Sequence, residues 1–275
     1  MLIFSEDQNT VSFISLASGS NGNCYWFSNG AVTFLIDFGI GMRTARKRLA
    51  EYSLRLEDVD FVLVTHDHID HIKHLGSFAE RAFKPVCATQ SLHIALDLNF
   101  ATRGRLNSSR IIIESEKVFH FNGVQIIPFP VPHDGTENYG YFIEMSGVKI
   151  AVITDIGRVT DTVLKFSSMA NHLVFESNYD SQMLNDGPYP KVLIDRISKG
   201  RGHLSNKETA DAIRKIYHPN LKSLLLCHLS ANNNLPELAL KASGMALYEK
   251  GVIPGYNFTL ECLPRGSSSR MYKFK

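Results

Sequence analysis

The chain has 275 residues, 44% hydrophobic and 20% charged, ordinary proportions for a soluble folded protein and enough to bury a large core. A net charge of +2 excludes binding of nucleic acid by global charge alone, and no apolar run approaches the roughly 20 residues that span a bilayer. The start, Met1 to Asp7, has no basic leader, and Cys24, Cys87, Cys227 and Cys262 lack a paired metal spacing, which together predict a cytoplasmic protein with free thiols and no membrane partner.

In chain order, strands are predicted over Val11 to Leu16, Cys24 to Phe27 and Ala31 to Asp37, the last two joined by the hairpin pair Asn29-Gly30. A helix follows from about Arg43 to Tyr52, then a strand over Phe61 to Val64, a helix near Ile72 to Phe83, a short strand at Pro85 to Ala88 and a helix near Ser91 to Leu98. A β-rich stretch comes next, Val118 to Phe121, Val124 to Phe129, Tyr141 to Met145 and Val148 to Thr154, with Asn122-Gly123 and Ser146-Gly147 as turns. Strands at Asn171 to Phe175 and Ser223 to Cys227 complete two further β-then-α units, and Ser205-x-x-Glu208 is a capping box that starts a helix just after His203. An echo between Leu35-Ile36-Asp37-Phe38-Gly39 and Ile153-Thr154-Asp155-Ile156-Gly157 hints at two similar halves, although Asp-x-Gly at a strand end is also ordinary turn chemistry.

The run Thr65-His66-Asp67-His68-Ile69-Asp70-His71 carries most of the chemistry. It places three imidazoles and two carboxylates directly after an apolar strand, the mixed donor set of a first-row metal site and the mark of a hydrolase. Seven residues cannot wrap two ions, so further ligands must come from other strand ends, and His133, Asp155 and His228 all stand at such ends. His93, His120, His172 and His218 are read as structural, with His120 facing solvent, and His74 as a helix-surface residue. Glu176 and His203 have the types needed for a carboxylate-oriented general acid; spacing alone leaves that reading level with a turn residue and a helix cap.

Basic residues cluster at Arg43, Arg46, Lys47 and Arg48, at Arg103, Arg105 and Arg110, and at Arg265, Arg270, Lys273 and Lys275. Each cluster reads equally as a solvated face or as a track for a nucleic-acid backbone.

The sequence THDHIDH, followed by PHD, TD-x-G, FESN, GHLSN and LCHLS, resembles the metallo-β-lactamase superfamily in its nuclease branch. The opening Ser15 to Asn23, Glu176 to Asp180, Gly187-x-Tyr189-Pro190 and Gly202 to Asn206 are similar to the bacterial YycJ/WalJ-type exonucleases over roughly residues 11 to 262. The resemblance implies an α/β fold, an αββα four-layer sandwich, as one hydrolase domain over 1–275 with a short basic C-terminal tail from about 264. It implies two divalent ions, zinc or manganese with iron a further candidate. One would be held by His66, His68 and His133, the other by Asp70, His71 and His228, with Asp155 between them and Asp37 structural. It makes Asp70, Glu176 and His203 catalytic, His203 protonating the leaving group, and puts Ser18, Ser20, Asn21, Asn23 and Asn178 against the substrate.

The expected activity is a dinuclear-metal phosphodiesterase on nucleic acid, a 5′→3′ DNA exonuclease with a role in DNA repair, RNA being the alternative substrate. The stretch from Asp155 to His228 is too short for the extra domain of β-CASP nucleases, and no tRNA-gripping arm is evident. A small ester or cyclic phosphodiester is the rival substrate within the superfamily, though those reactions need no Glu/His pair. From another class, a redox or non-catalytic metal module is disfavoured because the di-iron reductases carry Glu where His68 stands and all seven ligand positions are filled.

Overall fold

In the computed structural model, which describes residues 9–275, the apolar runs form two seven-stranded sheets. Met1 to Asp7 lie outside the described residues. The first sheet takes β1 (Val11–Ala17), β2 (Cys24–Ser28), β3 (Thr33–Ile36), β4 (Phe61–Leu63), β5 (Val86–Ala88) and β6 (Arg110–Ile112) as sequential neighbours. The second takes β7 (Phe119–Phe121), β8 (Val124–Pro130), β9 (Tyr139–Met145), β10 (Val148–Ile153), β11 (His172–Glu176), β12 (Ser223–Cys227) and β13 (Thr259–Cys262). Each sheet starts antiparallel, through β1-β2-β3 or β7-β8-β9-β10, and turns parallel through β3-β4-β5-β6 or β10-β11-β12-β13.

Side-chain alternation along the strands sets the layers. In β3, Phe34 and Ile36 join a core between the sheets that also holds Phe13, Phe27 and Phe61 from the first sheet and Ile126, Ile143 and Ile150 from the second. The rings of Phe13, Phe27, Phe34 and Phe61 form a ladder across four strands, with successive centroids 4.7, 5.2 and 5.1 Å apart. Leu35, one residue out of phase, packs instead with Leu49, Phe78 and Leu92. These belong to the outer helices α1 (Met42–Ala50), α3 (Leu75–Ala82) and α4 (Gln90–Leu98), with α2 (Ile69–Ile72) between the first two. Over the other sheet, α5 (Asp161–Ser168), α8 (Asn206–Ile216) and α9 (Pro236–Tyr248) bury Phe166, Ile213 and Leu247. The result is helices, sheet, sheet, helices, as expected. The short α6 (Ser181–Asp186) and α7 (Lys191–Ser198) rest on a small cluster of Tyr179, Leu184 and Ile194.

The capping box is present at α8: Ser205 Oγ accepts from Glu208 N at 3.1 Å and Glu208 Oε2 accepts from Ser205 N at 2.8 Å. Asn122-Gly123 and Ser146-Gly147 each take the paired positive φ of a tight hairpin turn. One expected helix, Ile72 to Phe83, is instead two, because His74 gives its backbone N–H to Phe38 O at 3.2 Å rather than to the helix. The tail expected from about 264 is not loose: β14 (Tyr272–Phe274) pairs antiparallel with β1, Val11 opposite Phe274. No helix among the described residues is long and apolar enough to cross a membrane.

Candidate metal centre

The expected ligands arrive where strands stop. The run His66 to His71 follows β4, Asp155 follows β10, His228 follows β12, and His133 lies between β8 and β9. Asp37, Asp155 and His228 each adopt a left-handed backbone, φ 61°, 52° and 54°. That conformation is costly for a residue with a Cβ, and it clusters here at the end of β3, β10 and β12.

All seven side chains meet. Ligand atoms of His66, His68 and His133 lie within 4.8 Å of one another, as do those of Asp70, His71 and His228, and those of His66, His71 and Asp155. His68 Nδ1 is 3.3 Å from His133 Nε2. Asp70 Oδ2 is 3.5 Å from both His71 Nε2 and His228 Nε2. Asp155 stands between the two groups, Oδ2 at 3.1 Å from His71 Nε2 and Oδ1 at 3.8 Å from His133 Nε2. His66 Nε2 and His228 Nε2 are buried without a hydrogen-bond partner. Orphaned imidazole nitrogens among carboxylates are what a cation would satisfy, so the donor set fits two divalent ions.

The opposite ring nitrogens are held by protein. His71 Nδ1 donates to Asp37 Oδ2 at 2.6 Å, His133 Nδ1 to Gly202 O at 2.6 Å and His66 Nδ1 to Thr65 Oγ1 at 3.0 Å, while Thr65 Oγ1 donates in turn to Asp37 Oδ2 at 2.8 Å. Such bonds fix the tautomer that leaves each Nε2 lone pair for a metal. Glu176 completes the set. Fully buried, its Oε1 accepts from His203 Nδ1 at 2.8 Å and from His228 Nδ1 at 3.1 Å, and its Oε2 accepts the backbone N–H groups of Ile156 and Leu204, each at 3.1 Å.

Burial opposes charge on Asp155, but His228 and His71 beside it outweigh burial and hold its carboxyl well below the usual range. Burial likewise opposes protonation of His203, and Glu176 overcomes it, so this imidazole is raised. His66 is pushed well below its ordinary value by burial and then by the neighbouring His71.

Ser20 lines the cleft, with Asp70, His133, Asp155 and His203 among its other walls, and Asn21 beside it is exposed. Ser18, Asn23 and Asn178, expected against the substrate, are buried and bonded to the site itself. Ser18 Oγ accepts His228 N at 2.9 Å, Asn23 Nδ2 lies 3.2 Å from Asp70 Oδ2 and 2.9 Å from His71 Nε2, and Asn178 Nδ2 donates to His228 O at 2.7 Å. They brace the clustered side chains, and Ser18 Oγ, Asn23 Nδ2 and Asn178 Nδ2 are already engaged there. His93, His172 and His218 bond to Ile111 O, Ser223 Oγ and Ala170 O, away from the cluster, and His120 is exposed as expected.

Sequence reasoning missed Thr65, the Gly202 carbonyl and the pair formed by Asp134 and Arg196, 2.6 Å apart, which bring α7 to His68 and His133. Asp134 was readable from its place after His133; nothing in the sequence singles out Arg196. The basic clusters are largely spent internally: Arg46 pairs with Glu57, Arg110 with Asp97 and Arg270 with Glu261, while Arg48 bonds to Leu16 O and Gly266 O.

Residues 33–229 match the family described as the Beta-lactamase superfamily domain. The chain is 34% identical over 251 residues to "Exodeoxyribonuclease YycJ" of Bacillus anthracis, covering 90% of this chain and 93% of that protein. It is 32% identical over 225 residues to "Exodeoxyribonuclease WalJ" of Streptococcus pneumoniae serotype 2 (strain D39), covering 82% and 83%. Among solved structures, the metallo-β-lactamase fold protein YhfI from Bacillus subtilis superposes with TM-score 0.69 over 96% of this chain and 99% of that one; at 17% identity this likeness is one of fold. Fold, ligand-bearing strand ends and relatives agree: the chain belongs to the metallo-β-lactamase superfamily, in the branch that contains YycJ and WalJ.

Proposed function

We propose that the protein is a metal-dependent exodeoxyribonuclease, working 5′→3′ with zinc or manganese. His66, His68 and His133 would hold one ion, Asp70, His71 and His228 the other, and Asp155 would serve both. Such a pair of ions, when bound, would supply hydroxide near neutral pH and charge to neutralise the phosphate. The chain's own part is proton handling and orientation. His203, at the mouth of the cleft with its Nδ1 on Glu176, presents Nε2 as a proton donor to the departing oxygen. Asp134 steadies His68, 3.4 Å from its Nε2, and is itself held by Arg196.

The observation that carries the reading is the Glu176 carboxylate bonded to both His203 and His228. A simple ester hydrolysis has no need of an acid anchored to the ligand shell in this way, whereas expulsion of a nucleoside alkoxide does. The names of the YycJ and WalJ relatives supply the nucleic acid. Purified protein with manganese or zinc should shorten end-labelled duplex DNA, with a 5′ block stopping it and a 3′ block not. Intact ends after prolonged incubation overturn the reading, and faster loss of matched RNA would move the substrate to RNA.

A further inference from the structure

A second cavity, of about 480 Å³, adjoins the metal cleft and shares His133 as a wall. That volume suits a nucleotide-sized group. Its rim carries two arginines, Arg158 after β10 and Arg201 after α7, both exposed. Unlike Arg46, Arg110, Arg196 or Arg270, neither is paired with a carboxylate among the described residues; Arg158 Nη1 donates to Gly200 O at 3.3 Å, and the Arg201 side chain bonds to none of the described residues. Glu137, the acid in the lining, has its Oε2 occupied by Thr89 Oγ1 at 2.7 Å and Tyr139 OH at 3.1 Å. Asn138, also in the lining, is 9% exposed, and its Oδ1 has no hydrogen-bond partner.

The arginines are tied to the metal ligand by short backbone links. Gly157 N, next to Arg158, donates to Pro132 O at 2.6 Å, and Gly202, next to Arg201, accepts from His133 Nδ1. Their two segments touch because Gly157 has no Cβ: one placed there would sit 2.6 Å from Arg201 N and Cα. Two unpaired guanidinium groups are thus carried on backbone that is fixed relative to His133.

We propose that this cavity is part of the substrate site, seating the strand beside the scissile linkage, with Arg158 and Arg201 each gripping one of two adjoining phosphates and Asn138 available to the nucleotide. The inference rests on the nucleic-acid reading above and extends it. A guanidinium presents fixed parallel donors that match phosphate oxygens, so two of them beside the cleft would set which linkage reaches the ions.

The test is fluorescence anisotropy of a labelled oligothymidylate with full-length protein, without added metal, across a salt series. R158Q/R201Q should weaken binding at least tenfold and flatten the slope of log K against log salt by about 1.4, two phosphate contacts on a single strand. R214Q/R270Q removes the same charge from arginines already paired with Glu249 and Glu261 and should leave both readings unchanged. Since the Arg201 side chain bonds to none of the described residues, R201Q alone should still flatten the slope by about 0.7 if the double variant does not fold. Unchanged binding in R158Q/R201Q, equal weakening in R214Q/R270Q, or no binding by the unsubstituted chain overturns the proposal. Because binding is read apart from cleavage, a chain that binds through these arginines but leaves DNA uncut refutes the exonuclease reading alone.

Discussion

Asp37 Oδ2 lies 2.6 Å from His71 Nδ1, with both side chains fully buried. The same carboxylate accepts Thr65 N and Thr65 Oγ1, each at 2.8 Å, so Asp37, buried behind the cluster, fixes the orientation and tautomer of His71, a proposed ligand. Asn tolerates the left-handed backbone at this position better than most residues, so Asp37→Asn keeps the turn while replacing one acceptor oxygen with an amide donor. It should lower metal affinity about 10- to 100-fold, read as metal retained after dialysis against a competing chelator. Full retention would remove Asp37 from the metal's outer support.

Glu176 and His203 separate by different signatures. His203→Ala should lower kcat on DNA about a hundred- to ten-thousand-fold and leave metal content intact. Glu176→Gln should lower both, because Oε1 also holds His228. Equal metal retention in the two variants would mean that His228 does not depend on this bond.

Gly39 and Gly157 are predicted to be intolerant of any side chain. A Cβ on Gly39 would lie 1.7 Å from Asp70 O, and one on Gly157 would meet the backbone of Gly200 and Arg201. Gly39→Ala should cost about 3 kcal/mol or more, with Gly157→Ala milder, read from urea midpoints. Here the Asp-x-Gly echo acquires its physical reason: in each half the Asp supports or supplies a proposed ligand while the Gly lets a neighbouring site loop approach, that of Asp70 at Gly39 and that leading to His203 at Gly157.

Much of this was legible because strands buried on both faces read as apolar runs and metal ligands keep their own letter code. THDHIDH, His133, Asp155 and His228 could be placed at strand ends, and those ends converge. What escaped was what depends on distance in space. β6 hid inside a loop rich in Gly, Asn and Arg, and β14 was too short and basic to read as a strand. Ser18, Asn23 and Asn178 were placed against substrate by the resemblance, which does not show that they are buried. The basic clusters looked available because their carboxylate partners are remote in sequence, as with Arg46 and Glu57.

Acid should weaken the fold through His172. Burial pushes this imidazole down from 6.5 to about 4, a shift that bonding to Lys275 O only partly offsets. Between those values the unfolded chain binds a proton that the folded chain refuses, so stability falls as pH drops through that window, by about 3 kcal/mol, and is unaffected above pH 7. His172→Gln should show a smaller loss between pH 7 and 4 in urea titrations. An identical loss would assign the acid sensitivity elsewhere.

Stripping metal should lower the melting temperature. Ions at a hundred times their dissociation constant stabilise by about 2.7 kcal/mol per site. For a chain of this size that is a shift of about 5 °C or more, recovered on adding zinc or manganese. A melting curve indifferent to chelator would argue against the assembled ligand set.

The return of β14 to the first sheet has a consequence for assembly. One of the two neighbours of β1, β14, is encoded after every other strand among the described residues, so during synthesis β1 waits with one edge bare until the whole second sheet has been made. Closure of that seam requires the longest loop in the molecule, which makes its formation a late, slow event and leaves nascent chains exposed to edge-to-edge association.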